Sequence, residues 1–113
     1  MKPNEFAKYL ARDGSCPHCG IDDDTLVPQH RAGRQMGGKN SKAARPSNIL
    51  VMCSYANGLL ESNATFAKLG REYGWKLTQG QDSSKVPVFH SGHWYLLDDQ
   101  FGKQEVEKPQ DDY

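Results

Sequence analysis

The pentapeptide Cys16-Pro17-His18-Cys19-Gly20 constrains this chain more than any other segment. Two cysteines spaced as Cys-x-x-Cys form a knuckle that suits zinc better than a disulfide. Cys53 is the third and last cysteine, and an odd number is a poor disulfide framework. Length matters next. A chain of 113 residues fits one compact domain, and with 36% hydrophobic residues its core is thin. A metal staple would therefore help it fold. No apolar run approaches membrane-spanning length, and no signal-peptide pattern opens the sequence. These features place the protein in a reducing cytoplasm, where thiols stay free.

Net charge is +0, which argues weakly against bulk nucleic-acid binding, but the distribution is uneven. Residues 25–60 contain no Asp or Glu, while Arg31, Arg34, Lys39, Lys42 and Arg45 all lie there. Acidic residues gather elsewhere, at 22–24, 98–99 and 111–112. A one-sign stretch in a neutral chain reads either as a local phosphate-binding patch or as a solvated loop.

Periodicity predicts a helix from Glu5 to Arg12, with Phe6, Tyr9 and Leu10 on its inner face, ended by Asp13-Gly14-Ser15. Thr25-Leu26-Val27 opens a strand, and Pro28 marks an edge or a strand end. Residues 31–45, with Gly33 and Gly37-Gly38, read as a long loop. Ile49-Leu50-Val51-Met52 reads as a buried strand. A helix follows Cys53, with Ala56, Leu59 and Leu60 on one side. A second runs over 64–73, capped by Ser62 or Asn63 and stopped by Gly74. Residues 86–90 and 93–97 flank Ser91-Gly92 as a β-hairpin. The tail from Gln104 reads as frayed. His90, His93, Trp94 and Tyr95 read as packing residues, and Trp75 as a core anchor.

Asn57 and Glu61 lie four residues apart, on one face of the helix after Cys53. An amide oxygen and a carboxylate are hard ligands, suited to Mg²⁺ or Mn²⁺. A histidine and a hard cation together meet the needs of phosphodiester hydrolysis: a base for water, positive charge on the phosphate and a stabilised leaving oxygen.

The ordered set Cys16-Pro17-His18-Cys19, Leu26-Val27-Pro28-Gln29-His30, Gly37-Gly38, Pro46-Ser47-Asn48-Ile49-Leu50 and Met52 to Asn57 resembles the HNH endonuclease family. The likeness spans about residues 16–61, and the overall layout is similar to small HNH proteins of actinobacteriophages. It implies an α+β fold with a ββα-metal core over about 16–62. An N-terminal helix would precede that core, and a further helix and a C-terminal β-hairpin would follow over about 63–103. It also implies a metal-dependent DNA endonuclease acting on double-stranded DNA. His30 would be the general base, and Asn48 would brace the strands and orient it. Gln29, Asn57 and Glu61 would hold the catalytic Mg²⁺ or Mn²⁺. The five basic residues at 31–45 would meet DNA. Phage packaging proteins are partners the family implies, and a weakly catalytic DNA-binding or packaging-accessory module is the alternative reading.

Two positions depart from the family pattern. Gln29 stands where Asp or His is usual, which leaves Glu61 as the one anionic protein ligand. Ala56 stands where the second knuckle would have its second cysteine. Cys16, Cys19 and Cys53 then supply three of the four ligands of a structural zinc. His18 inside the knuckle would be strained as a fourth. His90 or His93 could reach in from the hairpin. Otherwise the zinc is lost and the thiols are simply partly buried.

Overall fold

A computed structural model of the protein describes residues 1–33 and 44–109. Among these residues the chain forms an α+β fold with three α-helices and two small antiparallel sheets. The first helix, α1 (Pro3–Asp13), starts where Pro3 fits a first helical position, because a missing N–H costs nothing there. Tyr9 and Arg12 are buried, and Phe6 packs against the core. Leu10, expected on the inner face, is 37% exposed, so the buried stripe falls on 6, 9 and 12 instead.

The first sheet pairs β1 (Leu26–His30) with β2 (Ile49–Cys53). Its antiparallel register runs from Leu26 opposite Cys53 to His30 opposite Ile49. Pro28 lies inside β1, opposite Val51, rather than at its end. A two-stranded sheet leaves each strand one free edge, so the absent proline N–H need not break the ladder. Every residue of β2 is buried, because α1 packs on it and α2 (Ser54–Ser62) packs on both strands. This accounts for its unbroken apolar run.

Helix α3 (Ala64–Glu72) packs against α2 after a one-residue joint. That joint is Asn63, whose side chain accepts from the Phe66 N–H at 2.9 Å and caps the new helix. Gly74 follows α3 with φ of 77°, and a β-carbon there would collide with the Pro87 carbonyl. Both the left-handed backbone and the close approach require glycine.

The second sheet holds β3 (Val88–His90), β4 (His93–Leu97) and β5 (Lys103–Val106) in that order. Ser91 and Gly92, both at positive φ, make the expected hairpin turn. The third strand corrects the expectation of a frayed tail from Gln104: Lys103 to Val106 pair with Leu97 to Trp94. Asp98 organises the turn before it by accepting from the N–H groups of Gln100 and Gly102, each at 2.8 Å. Trp75 is buried as expected, and its indole N–H donates to the Phe89 carbonyl at 2.9 Å. Among the described residues, no helix is long and apolar enough to cross a membrane.

Candidate functional site

The knuckle at 16–20 folds back on itself. The Cys16 N–H donates to the Ile21 carbonyl, and the Gly20 N–H to the Cys16 carbonyl, both at 2.9 Å. Gly20 closes the turn at φ of 78°. Cys53 approaches from the junction of β2 and α2, where its sulfur also accepts the Ala56 N–H at 3.4 Å as an N-cap. The three Sγ atoms all lie within 4.8 Å of one another, and Cys19 and Cys53 are 3.6 Å apart. That spacing is far too long for a disulfide bond. It is close to the edge of a tetrahedron with metal–sulfur bonds of zinc length, about 3.8 Å. Cys16 and Cys53 are buried, and Cys19 is exposed.

The two faces of this cluster differ in proton affinity. The Ile21 backbone N–H pointing at Cys19 is the main cause that lowers its pKa. Burial raises that of Cys53 to about 11. A bound cation would deprotonate both, since the thiolate is the ligand. The donor chemistry and spacing thus fit a thiophilic metal ion such as zinc.

None of the histidines considered for a fourth ligand joins the sulfurs. The His18 ring packs edge-on against Phe66 and Trp75, with centroids 5.0 and 5.8 Å away. His90 hydrogen-bonds Ser15 Oγ at 3.1 Å, and His93 bonds Glu105 at 2.9 Å. Among the described residues, the three cysteines are the one group of three or more His, Cys, Asp or Glu that could hold a metal.

His30 is the last residue of β1 and is half-buried. It pairs with Ile49, the residue after Asn48. Asn48 is 1% exposed and sits at the end of the short 3-10 turn Pro46–Asn48. Its Oδ1 accepts from the Ala32 N–H at 2.9 Å, its Nδ2 donates to the Ala32 carbonyl, and its own carbonyl accepts from the Arg31 N–H. Asn48 thus fastens the chain just beyond His30 to the start of β2. Gln29 is buried, and its amide nitrogen donates to the His30 carbonyl at 2.8 Å. Asn57 lies one turn into α2 and is half-buried. Glu61 lies a turn later, with its side chain 72% exposed and 3.9 Å from Lys76 Nζ.

The basic residues divide into three groups. Arg31 is buried, at 1% exposure, and does not face solvent as a phosphate contact would. Its Nε donates to the Gly74 carbonyl, Nη1 to those of Ser47 and Ser83, and Nη2 to that of Val86, at 2.7–2.8 Å. Burial, and then the nearby Arg12 charge, lowers its pKa to about 9. Arg45 is partly exposed, and its Nε donates to Asp99 at 2.7 Å, with Asp82 3.4 Å from its Nη2. Arg34, Lys39 and Lys42 lie outside the described residues.

Two polar networks had no sequence signal. Ser47, fully buried, shares a 2.6 Å hydrogen bond with Ser83 and donates to Asp99, also at 2.6 Å. Arg12 bonds Asp13 and reaches the carbonyls of Pro46 and Ile49, while Asp13 accepts from the Val51 N–H. Both unite segments more than thirty residues apart, and local patterning cannot report such pairs. Comparison of the chain with family models, with curated proteins and with solved structures gives no match in any of the three.

Proposed function

We propose that this protein is a metal-dependent DNA endonuclease of the HNH type, built on a ββα-metal core. One observation carries the reading. β1 ends on His30, and β2 opens directly after Asn48, whose side chain grips the backbone two residues beyond that histidine. α2 then follows β2 at once and packs on both strands, carrying Asn57 and Glu61.

In this reading His30 takes a proton from water, which attacks the phosphorus of a DNA phosphodiester in line. Asn48 fixes the strand ends so that the imidazole holds its place. Gln29, Asn57 and Glu61 would hold a Mg²⁺ or Mn²⁺ ion, which supplies charge stabilisation at the phosphate and the leaving 3′ oxygen. The products would carry 5′-phosphate and 3′-hydroxyl ends. Glu61 is the sole anionic member of that set. Its ion pair with Lys76 is solvent-exposed and cheap to exchange. The ion should therefore be held loosely. The three cysteines would hold a separate structural zinc.

The test is a supercoiled-plasmid assay with Mg²⁺ or Mn²⁺. Wild type should nick or linearise the plasmid, and His30→Ala should lose at least about 100-fold, the scale of a missing general base. Equal conversion by both proteins would refute the assignment. A second reading, a weakly catalytic DNA-binding or packaging-accessory module, is favoured by Gln29, which offers a neutral amide instead of a carboxylate, and by Ala56, which offers no fourth thiolate. It expects salt-sensitive DNA retention without metal-dependent cleavage.

A further inference from the structure

The thiol cluster offers three of the four ligands that a tetrahedral metal site takes. A cysteine at position 56 would stand three residues after Cys53 and complete a second knuckle, but Ala56 occupies it. The histidines that could substitute are held elsewhere: His18 against Phe66 and Trp75, His90 by Ser15, His93 by Glu105. Among the described residues no fourth Cys, His, Asp or Glu joins the three sulfurs. Of the remaining residues, 34–43 contain none of these four types, and 110–113 contain only Asp111 and Asp112, hard oxygen donors poorly matched to a thiolate cluster. Zinc takes four ligands, and a site with three protein ligands keeps its fourth position for a molecule from solution. Cys19 is the exposed member of the cluster, while Cys16 and Cys53 are buried, so the cluster borders solvent on the Cys19 side.

We propose that the metal held by Cys16, Cys19 and Cys53 takes its fourth ligand from solution, and that a small thiol is the class of ligand the position accepts. This rests on reading the cluster as a metal centre. A thiolate matches the softness of the other three donors. Its binding forms one metal–sulfur bond, displaces one solvent ligand and releases the thiol proton to water. Two backbone N–H groups already point at the cluster, from Ile21 to Cys19 and from Ala56 to Cys53, and they offset the added negative charge. The centre would then be an exchangeable site rather than a closed staple.

The experiment uses the full chain loaded with Co²⁺, which reports its ligands by absorption, and 2-mercaptoethanol as the probe. One cobalt per chain is expected. Adding the thiol should raise the sulfur-to-cobalt charge-transfer band saturably by roughly one third, as three thiolates become four. Cobalt must stay bound after the titration, as metal analysis of the desalted protein would report. Ala56→Cys should show the higher band without added thiol and should not respond to it. If that variant fails to fold, the wild-type titration alone still decides. Stoichiometric cobalt with an unresponsive band overturns the open position while leaving the metal centre standing. So does a band that shifts in His18→Ala, which would place the fourth ligand within the chain. Failure to bind cobalt, or its removal by the thiol, overturns the proposal, and failure to bind overturns the metal reading beneath it.

Discussion

Arg31 offers the sharpest test of whether charge in the acid-free stretch serves DNA or the fold. Its guanidinium sits at 1% exposure and satisfies four backbone carbonyls. These belong to Ser47 before β2, Gly74 after α3, and Ser83 and Val86 before β3. Replacing it by methionine keeps much of the volume and removes every donor. Each buried carbonyl left unsatisfied costs about 1–3 kcal/mol, with some recovery through water and relaxation. A loss of about 3–6 kcal/mol is expected for the four together. A chain of 113 residues has roughly 6–17 kcal/mol in all, so this is a large fraction. Tm should fall by at least about 10 °C. Arg31→Lys keeps the charge but reaches fewer of the carbonyls with its single nitrogen, and should lose about 1–3 kcal/mol. Urea denaturation and thermal melts measure both. If Arg31→Met melts within about 2 °C of wild type and instead loses salt-dependent affinity for DNA, the structural role is refuted and the phosphate-contact role stands.

Three further outcomes follow from other parts of the molecule. Gly74→Ala should destabilise by about 2–4 kcal/mol in urea melts, because alanine is strained at positive φ and its β-carbon strikes the Pro87 carbonyl. A strong zinc chelator should lower the Tm of the zinc-loaded protein, and Cys53→Ser should melt lower and no longer respond to the chelator. His90 is held below its ordinary pKa of 6.5 by burial and then by Lys103, against the opposing Asp13 charge. Its neutral form is therefore the one the fold prefers. That contribution is present above about pH 6.5 and is lost as pH falls toward the lowered folded value. Wild type should thus lose more Tm than His90→Asn between pH 7.5 and 5.5, and parallel losses would contradict this.

Local rules reached the elements whose stability is local. Asn63 caps α3 through its own side chain, Gly74 stops it through its own φ, and Ser91-Gly92 turns the hairpin. The knuckle was legible because its two cysteines and glycine are neighbours in sequence. β5 was not, because Lys103-Gln104-Glu105 is an exposed edge whose pairing energy comes from β4 rather than from its own apolar pattern. Leu10 falls outside the buried stripe because helical spacing admits more than one face, and only packing on β2 selects among them. Arg31 misled for a physical reason. Its sequence neighbours are basic and glycine-rich, while its four partners lie 16 to 55 residues away. The fate of the candidate fourth ligands was likewise decided by tertiary contacts, those of His18 with Phe66 and Trp75.

The register of the first sheet sets the thiol cluster and His30 at opposite ends of the ladder. Cys53 pairs with Leu26 at one end of the ladder, and Ile49 pairs with His30 at the other. Four strand steps lie between them, or about 13 Å along β1. In the proposed nuclease reading, a metal held by the thiols would thus lie too far along the sheet to share a phosphate oxygen with His30. Each end has its own fastening. The thiols tie the N-terminal knuckle to the start of α2, while Asn48 and Arg31 tie the His30 end to the 3-10 turn and to the segment before β3. If that reading holds, loss of a metal held by the thiols should therefore act on cleavage only through stability. Below the melting temperature of the chelated protein, cleavage should survive zinc removal and still demand Mg²⁺ or Mn²⁺. Cleavage abolished by zinc removal while the protein remains folded by circular dichroism, and not restored by excess Mg²⁺, would contradict this separation.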